Sequence, residues 1–188
     1  RDLGENPADT FWPWSHGKRP FMPSFYELHG TKAAVISSSL EIQGLCKAIG
    51  FDVVAIPSCP PEDEYGVKKE YALRALNDVN FLLVHLDSVT EASKTRDLGQ
   101  KIRSLEQIDN KFIGPLLREF PSHCRLMITG GRIVRIDEGF GQKGPVPFAL
   151  TGENLSGGTE LSFNEKNAMR VDFLIQEGEK LLPFFLQS

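Results

Sequence analysis

The fold is decided by the stretch from Ala33 to Ile56, AAVISSSLEIQGLCKAIGFDVVAI. Its first four residues are apolar and predict a short buried strand, and a helix signal follows at once. Ser38 and Glu41 have the spacing of a capping box, in which each side chain accepts a hydrogen bond from the other residue's backbone N–H. Gly50 suits the end of that helix, because glycine adopts the left-handed conformation without strain. A second apolar run, from 52 to 56, predicts the next strand.

The same alternation continues beyond this stretch. Nearly all-apolar strands separated by helices are typical of a parallel sheet covered on both faces. We therefore predict an α/β fold, a three-layer sandwich around a mostly parallel sheet. Further strands are predicted at 81–86, 125–128 and 146–150, helices at 67–76, from 98 to just before Pro121 and at 178–186, and a second capping box at Ser162 and Glu165.

Residues 1–32 differ in composition from the rest of the chain. They are rich in proline, glycine and aromatic residues, among them Trp12 and Trp14. This composition favours an irregular or extended arm that packs through its rings. We predict an arm over 1–32 and a single α/β domain over 33–188, which is open to being part of a larger domain because the chain begins at Arg1 rather than at methionine.

Composition narrows the classes of function. A chain of 188 residues fits one domain, and 21 basic against 25 acidic residues argue against a nucleic-acid binder. No apolar run approaches the ~20 residues of a membrane-spanning helix. Three cysteines without CxxC spacing, and no visible secretory leader, predict reduced thiols and a cytoplasmic protein.

Chemistry-bearing side chains follow three of the predicted strands, where a parallel sheet binds its ligands. They are Lys68, His85 and Arg132, the last after a Thr-Gly-Gly turn. Cationic side chains and backbone amides bind phosphate-like oxygens, so these residues are candidates for an anion site. His85 with Asp87 and Glu91 also has the ligand types of a divalent-cation site, although the spacing is not diagnostic. Solvated side chains and a plain turn are the alternative at each position.

A set of segments, in their order and spacing, then indicates a family. The segments are 6–14, 17–20, 23–30, 33–36, 65–68, 84–97, 101–117, 145–148, 163–166 and 181–183. Together they resemble the carboxyl-terminal part of the archaeal-type, cofactor-independent phosphoglycerate mutases, in the alkaline-phosphatase-like metalloenzyme superfamily. The resemblance implies an isomerase that converts 3-phosphoglycerate to 2-phosphoglycerate in glycolysis, through a phosphoserine and two ions such as Mn²⁺, Mg²⁺ or Zn²⁺.

The sequence departs from that family at its metal ligands. His85 is kept, but the expected Asp and His after it fall on Thr90 and Lys94, where an ammonium would repel a cation. The nucleophilic serine and the first aspartate ligand belong to the family's amino-terminal half. We therefore expect no catalytic residue and no metal ion in this chain. The remaining expected Asp-His pair and final His fall on Gly130, Gly131 and Gly141.

Three functions remain open from these observations. The first is a degenerate mutase-like protein or fragment, inactive alone, that binds an anion or a partner. The second is one half of an active metal-dependent phosphoglycerate mutase. The third is a structural interaction module whose aromatic arm docks on its own amino-terminal half or on a second copy of the chain. None of the three involves nucleic acid or a membrane.

Overall fold

A computed structural model describes residues 10–14, 16–18, 20–155, 158 and 161–187. Strands and helices alternate through the first half of the chain, as its hydrophobic pattern predicts. A π-helix, Ile108–Ile113, and a 3₁₀-helix, Gly178–Lys180, add to the regular elements. In chain order these are α1 (Phe25–His29), β1 (Ala33–Ile36), α2 (Leu40–Ala48), β2 (Asp52–Val53), α3 (Glu64–Ala75), β3 (Phe81–Val84), α4 (Ser88–Lys94), α5 (Leu98–Gln107), α6 (Gly114–Glu119), β4 (Arg125–Thr129), β5 (Ile133–Val134), β6 (Gly141–Gln142), β7 (Phe148–Gly152), α7 (Glu165–Ala168) and α8 (Leu181–Gln187).

Three parallel strands form the central sheet, in the order β2-β1-β3. Ala34 lies opposite Asp52 on one side and Leu82 on the other. All four residues of β1 are buried, as the middle strand of a covered sheet requires. The prediction of an α/β fold with a parallel sheet is therefore confirmed. The carboxyl ends of β1 and β3 lie side by side at one edge of this sheet.

The later strands pair antiparallel, outside the central sheet. β4 pairs with β7, so that Met127 lies opposite Leu150, and β5 pairs with β6. A loop connects β5 to β6, and this hairpin lies within the segment that connects β4 to β7. β4 and β7 were predicted from apolar runs, whereas β5, β6 and the direction of pairing were not.

An aromatic cluster packs helices α1 and α8 against the central sheet. The Phe25 ring lies 4.8 Å from that of Phe51 and 5.0 Å from that of Phe81, measured between centroids. Leu182 and Leu186 of α8 pack on the same core, which confirms the prediction of a docked carboxyl-terminal helix. Phe25 belongs to α1, which lies within the 1–32 segment predicted to be irregular. The first nine residues of that segment lie outside the described residues.

Local hydrogen bonding corrects both predicted capping boxes. Ser39, not Ser38, caps α2 by accepting the amide of Ile42 at 3.4 Å, and the Ser38 hydroxyl instead donates to Glu64, 26 residues away. Asn164 caps α7, because its short side chain accepts the amide of Asn167 at 2.9 Å. The true capping box is Ser24 with Glu27, at the start of α1. Gly50, with φ of 86°, follows α2 as predicted.

The predicted long helix before Pro121 is continuous but not uniform. α5 passes into the π-helix, and this into α6, without a break in the chain. Phe112, in the π-helix, packs with Tyr65 and Leu116 in a second buried cluster. A π-helix has i→i+5 hydrogen bonds in place of the i→i+4 bonds of an α-helix, so the chain stays helical through Phe112. No helix among the described residues is long and apolar enough to cross a membrane.

Candidate functional site

A hydrogen-bonded Ser–His pair lies at the carboxyl edge of the central sheet. The backbone N–H of His85 donates to the carbonyl of Ile36 at 2.8 Å, which extends the pairing of β1 and β3 by one residue. The Ser37 hydroxyl lies 3.1 Å from Nδ1 of His85 and is almost fully buried. The amide of Ser39 donates to the same hydroxyl at 3.1 Å, so that Ser37 connects the start of α2 to His85.

A partly buried ion pair on α3 is hydrogen-bonded to Ser38, the residue that follows Ser37. The ammonium of Lys68 is 2.6 Å from Oε1 of Glu64, one turn earlier on α3. The Ser38 hydroxyl donates to the same oxygen at 2.9 Å. Lys68 is only 1 % exposed, which is exceptional for a lysine and requires a charged partner.

The electrostatics of Glu64 follow from these contacts. Partial burial of the carboxyl group raises its pKa, because a less hydrated site disfavours the charge. The hydrogen bonds from Lys68 and Ser38, together with the ammonium charge, outweigh that effect, and the pKa of Glu64 is lowered from its ordinary value of 4.5. Glu64 is thus held as a carboxylate between two donors.

Tyr65 connects this edge to the next helix. Its hydroxyl lies 2.6 Å from that of Ser88, the first residue of α4, and its ring is buried against Phe112. This contact fixes α3 against the start of α4. The loop that carries His85 lies between β3 and α4 and is held from both ends.

Arg132 belongs to a different part of the molecule from the other two candidates. It precedes β5, is exposed, and lies across β6 so closely that a Cβ atom at Gly141 would overlap its side chain. Lys68 and His85 are instead brought to one sheet edge through the consecutive residues Ser38 and Ser37. The structure therefore places two of the three predicted anion-binding residues at the same edge.

The positions that the resemblance assigns to metal ligands carry unsuitable side chains. Lys94 forms an ion pair with Glu91 at 2.6 Å, and both side chains are 56 % exposed. Thr90 offers one hydroxyl, and the three glycines offer no side chain. This donor set does not fit a divalent cation, which requires carboxylates or imidazoles in these places. The glycines are Gly130, Gly131 and Gly141.

The alternative metal site considered from the sequence is not formed either. Within the described part of the chain, no group of three or more His, Cys, Asp or Glu side chains is placed to hold a metal ion. His85, Asp87 and Glu91 are therefore not gathered around one point. The expectation that this chain holds no metal ion stays a prediction.

Sequence reasoning missed three residues of the sheet edge. Ser37 and Ser38 directly follow β1, where ligands of a parallel sheet bind, and Ser38 was assigned to a helix cap instead. Glu64 stands four residues before Lys68, the spacing at which a glutamate and a lysine meet on a helix. The position of the two serines and the spacing of Glu64 and Lys68 are visible in the sequence, but neither shows which of these side chains are buried.

The chain is similar in sequence to known phosphoglycerate mutases. The chain is 30% identical, over 98% of its length, to a 2,3-bisphosphoglycerate-independent phosphoglycerate mutase of Methanothrix thermoacetophila. It is 28% identical, over 97% of its length, to a probable enzyme of the same name from Geobacter sulfurreducens. The chain spans about half the length of these relatives, 48% and 47% respectively. No family model matches the sequence.

Solved structures agree on the fold. A protein from Pyrococcus horikoshii superposes with a TM-score of 0.73 at 23% identity, over 80% of this chain and 46% of that protein. A cofactor-independent phosphoglycerate mutase from Thermoplasma acidophilum superposes with a TM-score of 0.68 at 24% identity, over 89% of this chain and 39% of the enzyme. The shared architecture is an α/β fold with a parallel central sheet.

Proposed function

We propose that this chain, a relative of about one half of the archaeal-type, cofactor-independent phosphoglycerate mutases, is a degenerate mutase-like protein or a piece of one. It has no mutase activity by itself, and it binds an anion at the carboxyl edge of its parallel sheet. The observation that carries the proposal is the pairing of Lys94 with Glu91, at a position where the resemblance expects a metal ligand. A lysine that neutralises a local carboxylate takes over the charge of a cation without its Lewis acidity.

The anion site of this proposal consists of Lys68 and His85. An ammonium and an imidazole at one sheet edge supply charge-assisted hydrogen bonds to an oxyanion. Arg132 is a further candidate, as an exposed guanidinium on the β5–β6 hairpin. A phosphate-bearing small molecule is the ligand class that this chemistry favours.

Metal binding and turnover test the proposal directly. Isothermal titration of the complete polypeptide with Mn²⁺ is expected to give no binding tighter than micromolar. An enolase-coupled assay with 3-phosphoglycerate and Mn²⁺ is expected to give no turnover. The Methanothrix thermoacetophila relative serves as the positive control, because it carries the mutase name and the matched part is only 48% of its length. Tight Mn²⁺ binding or measurable turnover would overturn the proposal.

A second candidate function is one half of an active metal-dependent mutase, converting 3-phosphoglycerate to 2-phosphoglycerate in glycolysis. The observation in its favour is that the chain spans about half of its relatives. Its missing ligands would then come from carboxylates such as Glu91 and Asp137. Both are engaged, Glu91 with Lys94 and Asp137 with Arg135 at 2.7 Å, so metal binding would first break two ion pairs.

A docking role for the aromatic arm belongs to the same proposal. Phe11, Trp12 and Trp14 are 100%, 83% and 82% exposed, and large exposed rings in sequence mark interaction surfaces. We assign them to contact with the amino-terminal half of a longer polypeptide, or with a second copy of the chain. Light scattering should detect association that Trp12→Ser and Trp14→Ser weaken, and a monomer at all concentrations would exclude the second copy.

The cellular setting is also part of the proposal. The three cysteines are free thiols, which supports a reducing cytoplasm. Nucleic acid and membranes are not among the partners that we propose.

A further inference from the structure

We infer that Glu64 closes the anion site over Lys68, and that a phosphate-like oxyanion binds there by displacing the Glu64 carboxylate. This inference rests on the proposed function and deepens it, since it names how the same site is regulated. In the structure described above, an internal carboxylate occupies the place that the ligand would take.

The contacts around Glu64 have the form of an oxyanion site. Two donors, the Lys68 ammonium at 2.6 Å and the Ser38 hydroxyl at 2.9 Å, converge on one oxygen of the carboxylate. A phosphate oxygen has the same charge and the same capacity to accept hydrogen bonds. An ammonium group has three donors, so a phosphate offers Lys68 more acceptor oxygens than the single Oε1 that it contacts here.

The exposed fractions of the two side chains indicate that Glu64, rather than Lys68, moves when the ligand binds. The Lys68 side chain is 2 % exposed, whereas that of Glu64 is 35 % exposed and faces the outside of the pair. Glu64 is the first residue of α3, where side-chain rotation disturbs little packing, and a released carboxylate is hydrated at once. Lys68 lies within α3 and stays in place. The ligand therefore enters along the path by which Glu64 leaves.

The neighbouring Ser–His pair extends the site. Ser37 and Ser38 are consecutive, so His85 lies at the same sheet edge as the Glu64–Lys68 pair. The helix α2 begins at Leu40, two residues beyond Ser38, and its amino terminus adds a partial positive charge. These features favour a doubly charged phosphate group over a carboxylate ligand, because the Lys68 ammonium and the amino terminus of α2 attract two negative charges more strongly than one.

Neutralising Glu64 tests the inference. Inorganic phosphate is titrated into the complete polypeptide and into its Glu64→Gln and Glu70→Gln variants, with heat or amide chemical shifts as the signal. Glu70→Gln is the matched control, because Glu70 lies on the same helix and forms an i,i+4 ion pair with Arg74 at the surface. We expect Glu64→Gln to bind phosphate at least about tenfold more tightly, and Glu70→Gln to match the wild type.

Lys68 must be responsible for that gain. Adding Lys68→Met to Glu64→Gln is expected to abolish it. Thermal unfolding gives a second readout, since a ligand that binds only the folded state raises its Tm. Phosphate should raise the Tm of Glu64→Gln more than that of the wild type. Should Glu64→Gln fail to fold, Glu64→Asp keeps the charge but shortens the side chain, and it should show a smaller gain of the same sign.

The outcomes separate this inference from the proposed function. Equal phosphate affinity in the wild type and Glu64→Gln would overturn the closing role of Glu64 and leave the anion site standing. A gain that survives Lys68→Met would place the phosphate elsewhere and overturn the inference as well. No phosphate binding by either folded protein would overturn both the inference and the anion site. The Mn²⁺ and turnover tests decide the loss of mutase activity independently.

Discussion

Two regions of this molecule follow strands in the same way and yet differ in chemistry. At the carboxyl edge of β1 and β3, polar side chains are buried and hydrogen-bonded across the fold, as in the pair of Ser37 and His85. After β4 and around the β5–β6 hairpin, glycines stand where the resemblance expects ligands, and the charged side chains nearby form a surface ion pair, that of Arg135 with Asp137. The candidate functional side chains are therefore found where the core surrounds them and fixes their hydrogen bonds.

We expect the largest difference between the two regions in the loss of stability when a buried or an exposed ring is removed. Phe25→Ala removes a ring that is 5% exposed at the centre of the aromatic cluster, whereas Phe140 in the hairpin is 62% exposed. We expect Phe25→Ala to lower the free energy of unfolding by about 3–5 kcal/mol, because it leaves a cavity among packed rings. Phe140→Ala should change it by less than about 0.5 kcal/mol. Urea denaturation of both variants measures the difference, and similar values would erase the distinction.

The second-largest difference is expected between the two lysine–glutamate ion pairs, in the stability that is lost when the glutamate is neutralised. Glu64→Gln leaves the buried ammonium of Lys68 without a counter-charge and should cost about 1–3 kcal/mol. Glu91→Gln breaks an exposed pair with Lys94 and should cost at most about 1 kcal/mol. Chemical denaturation in the absence of phosphate measures both values. A larger loss for Glu91→Gln would mean that Lys94 has a structural role which its exposure does not show.

We expect acid to lower the stability of the folded chain in part by protonating Glu64. Its pKa is lowered in the folded chain, so the stability it contributes is fully present above the unfolded-state value near 4.5. That contribution is lost as the pH falls below 4.5, through the folded-state pKa of the group. Unfolding free energies of the wild type and Glu64→Gln should therefore converge in this acidic range. A constant difference between them down to the acid transition would contradict the assignment.

The smallest expected effect lies where α4 ends. Arg96 has a φ of 59°, a left-handed conformation that strains a residue with a side chain, and its guanidinium donates to the carbonyl of Glu138 at 3.3 Å. Arg96→Gly should raise the stability by about 0.5–1 kcal/mol, because relief of strain exceeds the loss of a long surface hydrogen bond.

Asn154 provides the control for that prediction. It has a φ of 61°, but asparagine tolerates this conformation, so Asn154→Gly should gain less than Arg96→Gly. Calorimetric Tm values compare the two variants. A loss of stability in Arg96→Gly would show that the contact with Glu138 holds the hairpin on α4 and outweighs the strain.

Much of the fold could be predicted from local patterns. The apolar run at β1, the glycine after α2 and the docking of the carboxyl-terminal helix follow from residue type and short-range spacing. Of the candidate site, Lys68 and His85 were found because each follows a strand of the parallel sheet. Arg132 satisfied the same rule but belongs to a hairpin outside that sheet. The rule applies only to parallel strands, and strand direction is not encoded locally.

The sequence by itself determined the alternation of strands and helices, because hydrophobic spacing reports which face of each element is buried. Residue type also shows that the positions which the resemblance assigns to metal ligands carry a threonine, a lysine and three glycines, none of which is a typical ligand of a divalent cation. Only the tertiary structure decided that Ser38 hydrogen-bonds Glu64, 26 residues away, instead of capping its own helix. A hydrogen bond from a hydroxyl group to a charged carboxylate is stronger than one to a neutral acceptor, and folding alone brings the Glu64 carboxylate within reach of Ser38.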